Sequence, residues 1–351
     1  MTEPSGGHWL NLSEVLKATM PTLIPGVVDE NHKRGNPVDI LPFSQANHTG
    51  SSIYWLRSGQ DAEGDVANIG IGGQTSFSES VTFVRKETDL KICYIQRKLD
   101  KFVPAMYGTF NNYEELMIQD AMKAITKKAG DKIIYDDYTY DANKLQMNGI
   151  HAWAATNYGE DWDIDEGEGA LALEHLRVLS DEMKHGLDYW LMPFCIARQI
   201  DKTYHELGIA SLASATAGAL GLISYGPSDI GGRTTYFDGK PIVRSDFMLA
   251  EQANTGMGSN ARAKYTSGTK QYSIFGILNR KGGLLVEDPG LGVAFGKTEG
   301  DGEFWNLEYF DKLVDYIGKG FRLEAYTALI PGSKYCIGRV LDITNAAPTA
   351  A

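Results

Sequence analysis

The chain has 351 residues, of which 43% are hydrophobic and 22% are charged, a composition typical of a folded globular protein of one or two domains. Its formal net charge of −12 argues against a protein that coats nucleic acid, because phosphate binding requires clustered lysine and arginine. Cys93, Cys195 and Cys336 are far apart and share no Cys-x-x-Cys spacing, so we expect free thiols in a reducing compartment rather than disulfides or a zinc site.

The amino-terminal 48 residues predict an irregular, extended arm. Five prolines interrupt them, at positions 4, 21, 25, 37 and 42, and we expect the arm to need another surface to lie against. The first residues, MTEPSGGHWLNLSEV, lack a basic segment followed by an apolar run, so the sequence predicts no signal peptide.

A long β-hairpin is predicted next. The stretches SSIYWLRSG and SESVTFVRKETDLKICYIQRKLD are rich in β-branched and aromatic residues, and Leu90, Ile92 and Tyr94 alternate on one face. The polar, glycine-rich segment QDAEGDVANIGIGGQTSF between them predicts the tip. Because a hairpin of this length cannot bury both of its faces by itself, we expect it to lean on a neighbour.

Helical periodicity is strongest in NNYEELMIQDAMKAITKKAGDKIIYD, where Asn112 and Glu115 resemble a capping box. The apolar stripe of this predicted helix is Ile118, Met122, Ile125, Ala129 and Ile133. A second helix, EGALALEHLRVLSDEMKHG, a strand, LDYWLMP, and a third helix, FCIARQIDKTYHELG, are predicted to follow.

The remaining segments alternate between strands and loops. Residues 208–227 carry no charge but are mostly small, which favours a buried segment or loop over a membrane span, so we expect a soluble protein. YFDGKPIVRSDFM predicts a strand, and residues 249–273 predict a long polar loop. YSIFGIL, GGLLVED and GVAFGKT predict strands, and NLEYFDKLVDYIGKG predicts a short helix before the final FRLEAYTALIPGSKYCIGRVLDI.

The stretch GLGVAFGKT, residues 290–298, is one candidate for a nucleotide-phosphate loop. That motif needs a glycine five positions before Gly296, where this chain has Leu291. A side chain there obstructs the tight backbone turn around an anion. The pattern therefore favours a glycine-punctuated strand and turn.

The stretch DWDIDEGEG is a second candidate, for a calcium loop. Asp161, Asp163 and Asp165 occupy positions one, three and five, but Glu166 stands where the motif needs glycine and Ala172 where it needs a distant acid. A solvated acidic loop is the favoured interpretation. Since His-Glu-x-x-His and Gly-x-Ser-x-Gly are also absent, the sequence predicts no catalytic, cofactor-binding or metal-binding residue and no cofactor.

The order of these elements resembles the major capsid proteins of tailed bacteriophages, which have the α+β Hong Kong 97-like fold. In that family a helix, a short strand, a proline-marked turn and another helix follow one another, as in LSDEMKHGLDYWLMPFCIARQIDKTYHELG. The segments FDGKPIVRSDFM and FRLEAYTALIPGSKYCIGRVLDIT are similar to a strand start and to the last strands of the family.

The resemblance implies five regions. They are an N-terminal arm over residues 1–48, an extended hairpin loop over 49–101 lying across the adjacent subunit, a peripheral domain over 102–150 with a spine helix, an axial domain over 151–319, and a return to the peripheral domain with a C-terminal tail over 320–351. Residues 249–273 are the candidate contact at the capsomer centre.

The function that the resemblance implies is structural and not enzymatic. It implies self-assembly as hexamers and pentamers into an icosahedral shell around double-stranded phage DNA, in a virion assembled in the host cytoplasm. Separate scaffolding, portal and decoration or cement proteins are the expected partners, and we expect no association with a membrane.

Residues 50–85 contain Arg57 and Arg85 but no lysine, so we expect no isopeptide cross-link from this loop. An encapsulin-like nanocompartment shell, and a nucleotide- or calcium-dependent enzyme, are the alternatives.

Overall fold

The computed structural model describes residues 32–46, 52–58, 66, 68–74, 83–101, 113–139, 141–206, 223–227, 233–253, 262–283, 287–296, 305–313 and 318–349. Its helices are α1 (Pro37–Ile40), α2 (Tyr113–Tyr135), α3 (Ile150–Ala155), α4 (Leu173–Glu182) and α5 (Phe194–Glu206). Its first strands are β1 (Phe43–Ala46), β2 (Ser52–Ser58), β3 (Phe83–Asp89), β4 (Lys91–Asp100), β5 (Asp163–Asp165), β6 (Ala170–Ala172), β7 (Tyr189–Pro193), β8 (Ile223–Pro227) and β9 (Arg233–Phe237). The others are β10 (Lys240–Ser245), β11 (Glu251–Ala253), β12 (Arg262–Lys264), β13 (Tyr272–Ile277), β14 (Leu291–Gly296), β15 (Asn306–Phe310), β16 (Gly318–Pro331) and β17 (Ile337–Thr349).

An eight-stranded mixed sheet forms the larger body. Its strand order is β5-β17-β13-β7-β10-β9-β8, and β6 also pairs with β17. β7 lies parallel to β10 and antiparallel to β13, and all five residues of β7 are buried. A strand buried on both faces reads as a continuous apolar run, and YWLMP has that pattern.

A five-stranded sheet forms the second body. β16 is its central strand: it pairs with β4 on one edge and with β14 and β15 on the other. β1 adds to β14 in parallel. The hairpins β2–β3 and β11–β12 form separate two-stranded sheets.

The main core lies between the eight-stranded sheet and helices α3, α4 and α5. α4 presents Leu176 and Leu179 to the sheet at a point where Gly276 and Gly338 are paired across β13 and β17. A Cβ on either glycine would lie less than 3 Å from the Leu179 side chain, at 2.8 and 2.6 Å. Glycine is therefore required here for the helix to approach the sheet closely.

The predicted arm needs correction where the structure describes it. Asn36 caps α1, accepting a hydrogen bond from the Val38 N–H at 3.1 Å, and Pro37 occupies the first helical position. β1 then joins the five-stranded sheet beside β14 of the same chain. Residues 32–46 are thus an integral part of the body, while residues 1–31 lie outside the described part.

The hairpin prediction is confirmed for β2 and β3 and wrong for β4. β2 and β3 pair in antiparallel register from Ser52↔Asp89 to Ser58↔Phe83. After Leu90 the chain enters β4, which pairs with β16 along ten residues, from Lys91↔Thr327 to Asp100↔Gly318. The alternation of apolar residues is similar on both sides of Leu90, so it could not indicate the change of sheet.

The long helix predicted in this region is confirmed as α2, but its buried stripe differs from the predicted one. Ala121, Ile125, Ala129 and Ile133 are buried at i, i+4 spacing, whereas Met122 is 42% exposed. Asn112 lies outside the described residues. The two later helices and the strand between them are confirmed as α4, β7 and α5, except that α4 begins only after strand β6.

Three further predictions are wrong. YFDGKPIVRSDFM forms two strands, β9 and β10, because Asp238 and Gly239 both have positive φ, at 49° and 72°, and make a tight two-residue turn. The polar loop 249–273 contains the hairpin β11–β12. NLEYF, predicted as a helix, is strand β15, which is held by its pairing with β16.

Two later strand predictions are confirmed: YSIFGIL contains β13 and GVAFG lies in β14. Residues 284–286 of the predicted strand GGLLVED lie outside the described part.

The free-thiol prediction is confirmed for all three cysteines, of which Cys93 and Cys336 are buried. Among the helices that the structure describes, none has the length and apolar character that a membrane crossing requires. Of the uncharged segment 208–227, only β8 is described.

Candidate assembly interface

The hairpin formed by β2 and β3 has two faces of different character. Because side chains alternate along a strand, residues 53, 55 and 57 share one face with their partners 88, 86 and 84. Residues 54, 56 and 58 share the opposite face with 87, 85 and 83. The first set is the inner face and the second is the outer face.

The inner face packs on the body of the same chain. Ile53 and Trp55 contact a small buried cluster of Ala294 and Ile330 in the five-stranded sheet. The Trp55 ring also lies against Trp153 of α3, with 6.0 Å between the ring centroids and an angle of 59° between the rings. These apolar contacts place the base of the hairpin on the body.

Arg57 adds a polar anchor to this base. Its Nε donates to the carbonyl oxygen of Gly332 at 3.0 Å, and its Nη2 donates to that of Pro331 at 2.8 Å. The guanidinium thus binds the β2 strand to the turn after β16.

The outer face of the hairpin consists of Tyr54, Leu56, Phe83, Arg85 and Glu87. Leu56 is 66% exposed, Phe83 61% and Tyr54 51%. The Arg85 guanidinium lies over the Tyr54 ring, 3.8 Å from its centroid. Three large apolar side chains thus stand together in solvent on this face, which makes it a candidate interaction surface.

β4 carries exposed apolar residues as well. Cys93 and Leu99 are buried, while Ile92 and Tyr94 on the opposite face are 54% and 66% exposed. The face that the sequence indicated as apolar, with Ile92 and Tyr94, is therefore the solvent face of the strand.

The glycine-rich stretch is not a phosphate loop in its described part. Leu291–Gly296 is the buried strand β14, and the N–H groups of Leu291 and Val293 donate to the carbonyl oxygens of Leu278 and Pro42. A Cβ on Gly290 would lie 2.5 Å from backbone atoms of Asn279 and Arg280. Close backbone packing accounts for this glycine; Lys297 and Thr298 lie outside the described residues.

The acidic stretch is not a solvated loop throughout, so that interpretation is wrong for Asp163. This residue is buried in β5, and its two oxygens accept hydrogen bonds from Arg339 at 2.7 and 2.8 Å. Asp165 accepts from the Gly167 N–H. With Asp163 occupied by a guanidinium, the three aspartates do not form the oxygen cage of a calcium loop.

A buried polar cluster of Tyr135, His151, Glu251 and Ser273 joins four elements. Glu251 is fully buried and accepts from the Ser273 hydroxyl at 2.6 Å, the Tyr135 hydroxyl at 2.9 Å and His151 Nε2 at 3.0 Å. Burial favours protonation of Glu251, but His151 and the hydroxyl donors outweigh it and lower the pKa of the carboxyl. The sequence analysis missed this cluster, since Glu251 lies in the segment predicted to be a polar loop.

The cluster lacks the geometry of a nucleophilic centre. Ser273 donates to Glu251 and not to His151, which differs from a serine–histidine pair, and both Ser273 and Glu251 are buried. Burial, followed by the charge of Glu251, raises the pKa of Tyr135 well above its usual range. Within the described part of the chain, no group of His, Cys, Asp or Glu side chains could hold a metal ion. The hydrogen bonds of the cluster join α2, α3, β11 and β13.

Comparison with known proteins gives matches in structure alone. No protein-family model and no curated protein sequence matches this chain. The holo-SrpI encapsulin complex from Synechococcus elongatus PCC 7942 is similar over 97% of this chain and 98% of its own, with a TM-score of 0.62 and 9% identity. The capsid of Myoviridae phage XM1 is similar over 91% and 95% (TM-score 0.56, 9% identity), and that of cyanophage P-SCSP1u over 95% and 94% (0.53, 12%).

The chain has the Hong Kong 97-like fold. The predicted α+β class is confirmed, and the match extends over nearly the full length of the chain and of the compared capsids. At 9–12% identity the likeness concerns the fold, and residue roles do not transfer. Within the Hong Kong 97-like fold of this chain, the outer face of the hairpin is the best candidate for a functional surface.

Proposed function

We propose that this protein is a major capsid protein that assembles as hexamers and pentamers into an icosahedral shell around double-stranded phage DNA. The observation that carries the proposal is the outer face of the hairpin, which exposes Tyr54, Leu56 and Phe83 on a fold that the chain shares with capsid structures. In this role the protein is structural and not an enzyme.

The two faces of the hairpin support a contact between copies. The inner face already packs on its own body, so the base of the hairpin has a defined position. The outer face has no such cover among the described residues, and covering it with a second copy would remove three large apolar side chains from water. An obligate interface of this kind buries about 2,000 Å² or more.

The domain roles and partners are part of the same proposal. Residues 49–90 extend toward an adjacent subunit before β4 enters the body, residues 102–150 and 320–351 form a peripheral domain, and residues 151–319 form an axial domain. Separate scaffolding, portal and cement proteins act during assembly in the host cytoplasm, and the mature location is the virion. The net charge of −12 fits an inner wall that repels DNA and lets it move during packaging.

The test compares two equally exposed leucines. Leu56 is 66% exposed on the outer face, and Leu145 is 68% exposed in the loop before α3. We expect Leu56→Glu to abolish rings and shells, measured by sedimentation velocity and electron microscopy, because it places a charge in the contact. Leu145→Glu should assemble like the wild type, and both variants should keep the wild-type melting temperature as unassembled protein. A Leu56→Glu variant that assembles normally would contradict the proposal.

An encapsulin-like nanocompartment is the second candidate. The similarity to the encapsulin complex, with a TM-score of 0.62 over 97% of the chain, favours it. Particles purified from the native source distinguish the two: a capsid protects double-stranded DNA from nuclease, whereas a nanocompartment contains a protein cargo and no protected DNA.

A further inference from the structure

The base of the hairpin contains an arginine whose electrostatic environment differs from that of other arginines in the chain. Three buried or half-buried arginines each pair with an aspartate at 2.6–2.7 Å: Arg339 with Asp163, Arg262 with Asp342, and Arg244 with Asp201. Among the described residues, Arg57 instead donates to two main-chain carbonyl oxygens and lies over the Trp55 ring, 5.9 Å from its centroid, and no carboxylate lies within ion-pair distance of it. Within the described part of the chain, its charge is therefore compensated by carbonyl dipoles and one aromatic face, and by no negative charge.

This environment is unfavourable for a cation. Burial lowers the pKa of the Arg57 guanidinium, which means that the fold destabilises its charged form. An arginine has five N–H donors, and the two bonds to carbonyl oxygens leave three others available. A buried charge is normally paired and hydrogen-bonded, so an anion beside Arg57 would stabilise the folded protein.

A small cleft adjoins this guanidinium. It is lined by nine residues, of which Arg57 and Lys334 are cationic and none is acidic, although the net charge of the whole chain is −12. Trp153 lines it too, and its indole N–H is buried without an acceptor among the described residues. Ser333 adds a hydroxyl. Outside the cleft, the half-exposed carboxylate of Glu160 is 3.9 Å from Lys334.

The size of the cleft limits its occupant. Its volume is about 10 Å³, which is room for about one non-hydrogen atom. A nucleotide base or an aromatic ring is too large, whereas one oxygen of a carboxylate or phosphate can enter while the rest of the group stays at the mouth.

We propose that this cleft is an oxyanion site, in which Arg57 and Lys334 bind one oxygen of a carboxylate or phosphate group. The group belongs either to a free anion or to an acidic side chain of a second copy. Bound there, it supplies a counter-charge that none of the described residues gives Arg57, and it fixes the base of the hairpin to the turn after β16. The inference is independent of whether the shell encloses DNA.

Thermal unfolding of the purified protein tests the site, with sodium phosphate replacing sodium chloride at constant ionic strength. Lys184 is the control for Lys334, because each lies over the Tyr335 ring, at 5.2 and 5.0 Å, and only Lys334 lines the cleft. Lys334 also lies over the Trp162 ring at 4.9 Å and 3.9 Å from Glu160, so the charge-keeping variant Lys334→Arg serves as a second control. We expect a saturable rise of about 3 °C or more for the wild type and for Lys184→Gln. Lys334→Gln should lose most of this rise. Lys334→Arg, which keeps the charge, should retain it.

Phosphate also stabilises folded proteins without binding to a specific site, and this general effect defines the result that would contradict the proposal. Exclusion of phosphate from protein surfaces raises melting temperatures without saturation and equally in all variants. Equal, unsaturated shifts in the wild type, Lys334→Gln and Lys184→Gln would overturn the proposal.

Sedimentation at increasing protein concentration then separates the two sources of the anion. If an acidic side chain of a second copy occupies the cleft, phosphate weakens the self-association of the wild type but not of Lys334→Gln. If a free anion occupies it, phosphate leaves self-association unchanged while the saturable thermal shift remains.

Discussion

Replacing Glu251 with glutamine should destabilise the fold strongly, although the two side chains have nearly the same size and shape. Glu251 is fully buried, and its two carboxylate oxygens accept three hydrogen bonds, from Tyr135, His151 and Ser273. Glutamine keeps one acceptor oxygen but puts an NH₂ group in place of the other. That group would face a hydroxyl or an imidazole nitrogen that now donates to the carboxylate.

The expected loss in the free energy of unfolding follows from the hydrogen bonds that glutamine cannot make. Three charge-assisted hydrogen bonds become at most two neutral ones, and each such bond contributes about 1–2 kcal/mol net. Breaking a buried charged arrangement by changing one member costs about 3–5 kcal/mol in comparable cases. We therefore expect Glu251→Gln to lower the free energy of unfolding by about 3 kcal/mol at pH 7.

The pH dependence provides a second check. The pKa of Glu251 is lower in the folded protein than its usual value of 4.5, so its contribution to stability is present above that value and is lost as the pH falls through the folded pKa. The difference between wild type and variant should accordingly be full at pH 7 and shrink in acid.

Urea unfolding followed by tryptophan fluorescence measures both quantities, at a protein concentration below that of assembly. Glu308→Gln is the control, since this carboxylate is half exposed and 3.7 Å from Arg322, where the loss should be under about 1 kcal/mol. The reasoning is refuted if Glu251→Gln costs no more than Glu308→Gln, or if its cost is the same in acid as at pH 7.

Three other substitutions have defined outcomes. Arg339→Lys loses the bidentate contact with buried Asp163, and we expect its free energy of unfolding to fall by about 3 kcal/mol in urea titrations. Burial raises the pKa of Asp136 to about 6, so its protonated form stabilises the fold in acid and that contribution is lost as the pH rises through 6; Asp136→Asn should raise the melting temperature at pH 8 and leave it unchanged at pH 4. A Cβ on Gly332 would overlap a backbone carbonyl oxygen, so Gly332→Ala should reduce the yield of folded protein, measured by soluble expression, whereas Gly283→Ala, with no atom within 4 Å of its Cβ, should not.

The sequence predicted those elements whose pattern is local. α2 and α5 have helical periodicity, and β7 and β14 are continuous apolar runs bounded by glycine or proline, so each could be located without knowing its neighbours. The ordered set of such elements was enough to indicate the Hong Kong 97-like fold. The Met122 error has the same origin: periodicity places residues on a helix but does not determine which side of a broad apolar stripe meets the sheet.

The incorrect predictions concern elements held by distant partners. β15 contains residues compatible with a helix, and it is a strand because β16 provides a hydrogen-bonding edge. For the same reason, β4 pairs with β16 and does not continue the predicted hairpin. Glu251 was assigned to a polar loop because no local signal shows that three donors from distant elements surround it. The candidate site was thus predictable as a hairpin with more apolar surface than it can bury by itself, but the division into an inner face on the chain's own body and an exposed outer face was not.

The division of the hairpin into an inner and an outer face bears on how one chain can occupy several packing environments in a shell. The inner face and Arg57 hold the base of the hairpin through contacts within the chain, so their energy is gained on folding. In the proposed shell, the outer face gains its energy on contact with a second copy. The side chains of the two faces alternate along the same strands, so a substitution on one face leaves the side chains of the other face in place. Folding and association can therefore be separated by mutation. A shell whose subunits meet at different angles benefits from this arrangement, since the outer contacts can adjust while the position of the hairpin base is fixed by the chain itself.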